Sequence, residues 1–231
     1  MSHSNRPINI FNIGRRSMLL GAGATALATG VIASINPALA QRRGSGGPDK
    51  VPVEKLMAKG ELPDITLGKP DAQVTIVEYA SMTCPHCATF HNGTFPKLKE
   101  KYIDTGKVFF VMREFPLDNL AAAASMLTRC AGEGKAAPMV GLLFETQEQW
   151  RINNPAPKLL EIAKQAGFTQ ATFDKCLENT DMLNKLIKQR DTASKDFGVD
   201  ATPSFFINGE RFRSRSIAIE AFDKVIEPLL K

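Results

Sequence analysis

Residues 74–87 read VTIVEYASMTCPHC, an apolar run followed by two cysteines three positions apart. The run Val74–Ala80 has the length and β-branched content of a strand, and a helix-like run, Cys84–Tyr102, follows it. At the start of a helix Cys84 and Cys87 share one face, so their sulfurs can form and break a disulfide with little backbone movement. The N–H groups and dipole of a helix start stabilise a thiolate, which is the form that performs disulfide exchange. The segment therefore predicts a redox site.

A structural zinc site and an inert surface disulfide are the alternatives for this cysteine pair. A closed zinc site needs about four ligands. The remaining cysteines, Cys130 and Cys176, are isolated, and neither has a histidine at ligand spacing. The only histidines outside the C-x-x-C segment are His3 and His91. We therefore expect no metal, and no cofactor other than the redox-active disulfide Cys84–Cys87 itself.

A second feature lies far downstream, where residues 202–209 read TPSFFING. Pro203 stands at the head of a short apolar run, a position that a strand tolerates, whereas proline would disrupt the middle of a strand. Asn208 and Gly209 form a strong hairpin-turn signal. A plain loop turn is the alternative for Thr202 and Pro203 taken alone.

Together these residues resemble the thioredoxin superfamily, in which a C-x-x-C follows the first central strand and a cis-proline faces it across the active site. Cys-Pro-His-Cys is similar in particular to the DsbA-type periplasmic thiol oxidases. Glu78, six residues before Cys84, matches the buried acidic position of that family. The resemblance covers the chain from Gly60 to Lys231. It implies an α/β structure, a thioredoxin fold with an inserted all-helical domain.

The C-x-x-C residues have distinct expected roles. We expect Cys84 to be the exposed nucleophile and Cys87, one turn deeper, to be the resolving cysteine. Pro85 occupies a position where the helix needs no N–H. The ring of His86 can donate a hydrogen bond or a positive charge to the thiolate, which favours the reduced form and makes the disulfide more oxidising. A passive spacer is the alternative for His86.

Glu78 shares a strand face with Ile76, inside a run too apolar to lie at the surface. A carboxylate is costly to bury without a partner, and Glu78 could relay a proton to Cys87. A pairing with a lysine at the strand end is the structural alternative. His91 lies two turns after Cys84 on the same helix face, and we interpret it as a packing residue rather than a catalytic one.

Pro203, if its peptide bond is cis, would hold the backbone of Thr202 close to the cysteines. A substrate chain could then pair with Thr202 and Pro203 as an added strand. Cys130 and Cys176 each fall within a helical run, as two buried thiols or as a second disulfide. Relatives of the resembled kind carry such a second bridge, and this favours a structural disulfide.

The first forty residues have the pattern of a signal peptide. Arg15 and Arg16 precede the uncharged run 18–35, and residues 38–40 read Ala-Leu-Ala, a cleavage signature. The paired arginines and the weakly apolar run resemble a twin-arginine signal. An ordinary secretory signal and an uncleaved membrane anchor are the alternatives. We predict export to the periplasm, an oxidising compartment that suits four cysteines beyond the signal.

The net charge argues against a nucleic-acid partner. The chain carries 29 basic and 24 acidic side chains, a net charge of +5. Residues 1–40 contain three arginines and no acidic residue, so that 26 basic side chains face the same 24 acidic ones after cleavage. The basic character therefore belongs mostly to the signal.

These patterns divide the 231 residues into five parts. Apolar runs of strand length lie on both sides of a long stretch that contains only helical patterns, and Gly, Ser and Pro mark a linker. The predicted parts are a signal peptide at 1–40, a flexible linker at 41–59, a first thioredoxin-fold part with the C-x-x-C at 60–117, a helical insertion at 118–197, and a second thioredoxin-fold part with the cis-proline at 198–231.

The sequence thus predicts an exported thiol:disulfide oxidoreductase that donates the Cys84–Cys87 disulfide to newly exported, reduced or unfolded proteins. The transfer would pass through a mixed disulfide at Cys84. The resemblance implies a membrane partner, similar to DsbB, that re-oxidises the protein. A disulfide reductase or isomerase of the same fold and a redox-inactive peptide-binding module are the alternatives. The segment before the core is too short for the dimerisation domain of known periplasmic isomerases, which argues against the isomerase alternative. We expect a monomer.

Overall fold

The computed structural model describes residues 47–230, and a mixed five-stranded sheet lies at its centre. The sheet has the strand order β1-β3-β2-β4-β5, in which β2 and β3 are parallel and all other neighbours are antiparallel. The almost fully buried strand β2 therefore occupies the middle. The strands are β1 (Ile65–Leu67), β2 (Val74–Ala80), β3 (Val108–Glu114), β4 (Ser204–Ile207) and β5 (Glu210–Arg211).

Helices cover both faces of this sheet. They are α1 (Val53–Leu56), α2 (Pro85–Thr89), α3 (Phe95–Leu98), α4 (Asn119–Cys130), α5 (Ala136–Glu145), α6 (Gln147–Trp150), α7 (Ala156–Gln165), α8 (Gln170–Leu177), α9 (Thr180–Phe197) and α10 (Ile219–Ile226). The α/β architecture with inserted helices that the sequence predicts is confirmed.

The helix that follows β2 is continuous but irregular. π-Helical stretches at Phe90–Thr94 and Lys99–Ile103 alternate with α2 and α3. Pro96 has no N–H to donate to the carbonyl one turn earlier, and its ring crowds that carbonyl, which explains why the helix widens just before it. The run nevertheless keeps one face on the sheet, where Phe90 and Leu98 are buried.

Six helices, α4 to α9, lie between β3 and β4 in the described chain. Local signals set their ends: the Asp118 carboxylate accepts a hydrogen bond from the Ala121 N–H at 2.7 Å, and α9 ends at Gly198 in the left-handed conformation (φ 64°). A disulfide joins Cys130 at the end of α4 to Cys176 in α8, with a Cα–Cα distance of 6.1 Å. The bridge closes a 46-residue separation within the helical block.

The side chains of β2 alternate between the two faces of the sheet, and an apolar layer covers each face. Ile76 and Glu78 point to the larger one, which contains the helix after β2, α10 and most of the inserted helices. Val77 and Tyr79 point to the smaller one, where Phe197 packs. The strand face predicted for Glu78 is therefore the face of the main core.

The flexible linker predicted for residues 41–59 is wrong for the residues from 47 onward. The Val51 N–H donates to the Gly209 carbonyl at 2.8 Å, and the Arg211 N–H donates to the Asp49 carbonyl at 2.7 Å. Val51 and Leu56 are 2% and 1% exposed. The Gly- and Pro-rich composition suggested disorder, but these two apolar side chains cover the smaller layer and fix the segment against β5.

The predicted signal peptide and its membrane-anchor alternative lie outside the described residues. Within residues 47–230, no helix has both the length and the apolar character needed to cross a membrane.

Candidate active site

The two site cysteines lie at the junction of β2 and α2. Cys84 is the N-cap residue of α2, and Pro85 occupies the first turn of the helix, where its missing N–H costs nothing. The Cys84 N–H donates to the Ser81 carbonyl at 3.1 Å. Cys87 follows one turn later on the inner face of the helix. The predicted position of the C-x-x-C, after the central strand and at a helix start, is confirmed.

Side chains from the helical block hold the segment before Cys84. The Gln147 amide donates to the carbonyls of Met82 (2.7 Å) and Cys84 (3.1 Å). Arg151 donates to the Thr83 carbonyl at 3.2 Å. Sequence reasoning missed Gln147 and Arg151, because nothing in the local sequence indicates that the α6 region returns to this loop.

Cys84 faces the predicted proline segment across the site. The Thr202–Pro203 peptide bond is cis, and the Cys84 thiol donates a hydrogen bond to the Thr202 carbonyl at 3.1 Å. Cys84 was expected to be exposed, but it is only 6% exposed, while Cys87 is completely buried. Cys84 is thus the more accessible sulfur of the pair, in a shallow recess rather than on an open surface.

The environment of Cys84 lowers its pKa to about 5. The largest cause is the hydrogen bond from the Cys87 thiol. The backbone N–H groups of Cys87 and His86 add to the effect, and the groups that lower the pKa together outweigh the burial of the sulfur, which raises it. At neutral pH the reduced site therefore carries a thiolate at Cys84.

The environment of Cys87 has the opposite effect. Burial raises the pKa of the Cys87 thiol well above its ordinary value, and the hydrogen bond to Cys84 and the negative charge of Glu78 raise it further. Cys87 keeps its proton under conditions in which Cys84 has lost its own. The two sulfurs at this helix start therefore differ. Cys84 is suited to act as a nucleophile or a leaving group, and Cys87 is a protonated resolving thiol.

His86 contributes to this asymmetry through its backbone. Its N–H is one of the groups that lower the pKa of Cys84, while its side chain is exposed. Donation of a hydrogen bond or charge by the His86 ring stays a prediction.

Glu78 lies beneath the site and is completely buried. Its Oε2 shares a hydrogen bond of 2.9 Å with Nε2 of His91, so the lysine proposed as its alternative partner is not the residue that pairs with it. His91 does pack as predicted, with its ring stacked on Phe144 at 4.3 Å, but packing is only part of its role. The sequence placed His91 on the helix face of the cysteines, but it did not indicate the pairing with Glu78 on β2.

Three buried side-chain atoms have no hydrogen-bond partner among the described residues, and all three belong to residues of this site. They are Oε1 of Glu78, Oε1 of Gln147 and Oγ1 of Thr202. Buried polar atoms without partners are rare and call for an explanation. Unpaired buried atoms of this kind accompany a redox or catalytic role, strain, or a bound water molecule or ion.

Within the described part of the chain, no group of three or more His, Cys, Asp or Glu side chains is arranged to hold a metal ion.

Comparisons with known proteins agree with this geometry. A family model described as Thioredoxin matches residues 61–228. The chain is 37% identical over 178 residues to a Rickettsia bellii protein named "Putative protein-disulfide oxidoreductase", covering 75% of this chain and 68% of that protein. It is 31% identical over 148 residues to the "Disulfide bond formation protein D" of Bacillus subtilis, covering 62% and 66%. The chain thus spans about two thirds of the length of these curated relatives.

A solved structure shows the same arrangement of elements. The crystal structure of Wolbachia pipientis alpha-DsbA1 superposes with a TM-score of 0.69 at 32% sequence identity. The match covers 77% of this chain and 95% of that one. The inserted helices are therefore part of the shared architecture, since nearly all of the solved chain is matched.

Proposed function

The chain belongs to the thioredoxin superfamily, among its DsbA-type thiol-disulfide oxidoreductases, and on this premise we propose that it donates the Cys84–Cys87 disulfide to reduced proteins outside the cytoplasm. The direction of transfer is the part of this proposal that rests on the site. One observation carries it: Cys84 is stabilised as a thiolate, with a pKa of about 5, while Cys87 is held as a thiol.

The first step opens the protein disulfide. A substrate thiolate attacks Sγ of Cys84, a bond between the substrate sulfur and Cys84 forms, and the Cys84–Cys87 bond breaks. Cys87 leaves with the electron pair and takes up a proton, because its pKa is raised by burial. The product is a mixed disulfide at Cys84.

The second step releases the oxidised substrate. A second substrate thiolate attacks the substrate sulfur of the mixed disulfide, the substrate disulfide forms, and Cys84 leaves as a thiolate. Two electrons have passed from the substrate dithiol to the protein. A sulfur with a low pKa is a good leaving group, and stabilising it favours the reduced protein, so the disulfide is an oxidant.

The neighbours of Cys84 have supporting roles in this proposal. The Thr202 carbonyl accepts a hydrogen bond from the Cys84 thiol, so a substrate strand that pairs with the backbone at Thr202 and Pro203 would bring its sulfur to Cys84. Glu78 would exchange a proton with Cys87, in keeping with its burial and its charge effect on that thiol.

We further propose that the protein is exported and re-oxidised by a membrane partner similar to DsbB. The paired arginines at 15 and 16 and the Ala-Leu-Ala at 38–40 support export. Each oxidised substrate leaves the protein reduced, so a partner must accept two electrons before the next turnover. Arg15→Lys with Arg16→Lys should block export through a twin-arginine route, whereas an ordinary secretory route would tolerate the change.

The central test measures oxidation of a peptide with two cysteines by the oxidised protein. We expect one peptide disulfide per protein molecule, after which the reaction stops unless an oxidant is added. Cys84→Ser should abolish the reaction. Cys87→Ser, which removes the resolving thiol and keeps the nucleophile, should instead accumulate a mixed disulfide at Cys84 when challenged with an oxidised peptide.

Two results would redirect the assignment. A protein that reduces insulin readily but cannot oxidise the peptide is a reductase. A protein that binds unfolded chains equally well after alkylation of Cys84 is a peptide-binding module whose cysteines are incidental.

A further inference from the structure

Cys87 must exchange a proton whenever the Cys84–Cys87 disulfide opens or closes, yet its side chain is completely buried. When the disulfide closes, the Cys87 thiol loses its proton and the thiolate attacks Sγ of Cys84. When it opens, Cys87 leaves and recovers a proton. Water does not reach this sulfur directly, so the proton has to pass through a neighbouring protein group.

Glu78 is that neighbour, but it is equally cut off from solvent. Its negative charge acts on the Cys87 thiol, and its Oε1 has no hydrogen-bond partner within residues 47–230. A carboxylate whose charge acts on a thiol can accept the proton that the thiol loses, directly or through one water molecule. A second group must then connect the carboxylate to water.

The other oxygen of Glu78 leads to His91, which reaches a cavity. His91 Nε2 lies 2.9 Å from Glu78 Oε2, and the residue is 8% exposed. The His91 ring lines a cavity of about 500 Å³ between the helix that follows β2, strands β1 and β3, and α5. Asn92, Pro96 and Glu145 line the same cavity and are exposed, so it opens at the surface. Its volume is ample for several water molecules.

This cavity is separate from the face that meets the substrate. Cys84, His86, Thr202 and Pro203 are not among its lining residues. Its walls are largely apolar, with Phe95, Phe110 and Met112 among them. A substrate that covers Cys84 would therefore leave the cavity open.

The titratable groups around His91 are few. They are Glu78 on β2, Cys87 one helical turn earlier, Lys99 on the same helical run and Glu145 on α5, the last two in the cavity wall. Histidine is the side chain whose ordinary pKa allows it both to take and to give a proton near neutral pH.

We propose that His91 and this cavity conduct the proton of Cys87 between Glu78 and bulk water while a substrate covers Cys84. The inference rests on the proposed thiol-disulfide exchange. In the closing step, the proton passes from Cys87 to Glu78 and through His91 to water in the cavity. The Cys84–Cys87 bond forms, the bond between Cys84 and the substrate sulfur breaks, and the substrate thiolate leaves with the electron pair. His91 acts through Glu78 and is a positioning and relay residue.

The test follows the closing step alone. The protein is loaded with glutathione as a mixed disulfide at Cys84, and the release of glutathione is measured over the range in which histidine titrates, about pH 5 to 8. His91→Ala should close about tenfold to a hundredfold more slowly than the unchanged protein, since a positioned acid–base group contributes at least that much. Reduced Cys84 should be alkylated at the same rate in His91→Ala as in the unchanged protein, because His91 does not contact that sulfur.

Imidazole distinguishes a proton relay from a packing role. The cavity is large enough to admit it, so added imidazole should restore most of the closing rate in His91→Ala and have no effect on the unchanged protein. Met112→Leu is the matched control, because it alters the same cavity wall without removing a titratable group and should close at the normal rate.

A plug tests the route. An added side chain at Gly141, which lines the cavity on the exposed face of α5, meets no atom within 4 Å. In the His91→Ala protein, Gly141→Phe should prevent rescue by imidazole, whereas Gly141→Ala should allow it. If imidazole restores the closing rate equally well with phenylalanine and with alanine at position 141, the cavity is not the proton route.

The remaining outcomes are also decisive. If the unchanged protein does not oxidise a dithiol peptide, the proposed function fails. If it does, and His91→Ala closes at the normal rate or stays slow with imidazole, only the relay is overturned. Should His91→Ala not fold, His91→Gln decides, because glutamine keeps a donor for Glu78 but cannot titrate. It should close slowly and without the pH dependence of a histidine, and a normal pH profile would refute the relay.

Discussion

Cys84 and Cys87 are three residues apart, and their reactivities differ because of what surrounds each sulfur. Cys84 receives hydrogen bonds at a helix start, whereas Cys87 is enclosed by the core and faces the charge of Glu78. The C-x-x-C, the cis-proline and the buried glutamate could all be identified from the sequence, since each has a local pattern. Gln147 and the pairing of Glu78 with His91 could not be identified with the same ease, because they depend on how distant elements pack.

Cys87→Ala should raise the pKa of Cys84 without abolishing its depression. The hydrogen bond from Cys87 is the largest cause of the low pKa, and the helix-start N–H groups remain after the substitution. The ultraviolet absorbance of the thiolate should therefore titrate with a midpoint above about 5 and below the ordinary cysteine value of about 8.5. A midpoint at or above the ordinary value would contradict Cys84 as the nucleophile.

His86→Pro and His86→Ala should differ in how much they weaken the oxidant. Alanine removes the ring and keeps the backbone N–H that lowers the pKa of Cys84, whereas proline removes both. We expect both variants to be less oxidising against glutathione, and His86→Pro to be the less oxidising of the two. Equal potentials would assign the whole effect to the ring, and unchanged potentials would make His86 a spacer.

At the scale of helices and strands, periodicity and end signals predicted most of the structure. The runs 74–80 and 204–207 form β2 and β4 as predicted, and Asp118 and Thr169 cap helices in the inserted block. The segment 47–59 was misjudged, since its order depends on two apolar side chains that reach the core and on pairing with β5, more than 150 residues away. Composition within a short window contains no information about such a partner.

The bridge between α4 and α8 should be a large contribution to the stability of the inserted helices. Cross-linking residues 46 positions apart stabilises the folded chain by about 4 kcal/mol in the chain-entropy model, at the upper end of what is measured. The double variant Cys130→Ala, Cys176→Ala should therefore unfold at clearly lower denaturant concentration. Mass spectrometry of the non-reduced protein provides the control, because two free thiols in the purified protein would show that the helices are stable by packing alone.

At the scale of the whole molecule, the redox state of one site should change the stability of the entire fold. A low pKa of Cys84 in the folded, reduced protein means that folding favours the thiolate. Oxidation removes this contribution, since a disulfide has no thiolate to stabilise. The reduced protein should therefore unfold at a higher temperature than the oxidised protein near neutral pH, which is the reverse of what a structural disulfide does.

The stability gap between the two redox forms should also depend on pH, with a sign fixed by the pKa of Cys84. Because the folded-state pKa is depressed, the added stability of the reduced form is complete above the unfolded value of about 8.5 and is lost as the pH falls through the folded value of about 5. Thermal unfolding of both forms across this range should show the gap closing towards low pH. His86→Pro should narrow this stability gap at neutral pH. The Cys130–Cys176 bridge is intact in both redox forms, so its contribution cancels in the difference. An oxidised form that is the more stable one at neutral pH would contradict the oxidase direction, and the reductase assignment would replace it.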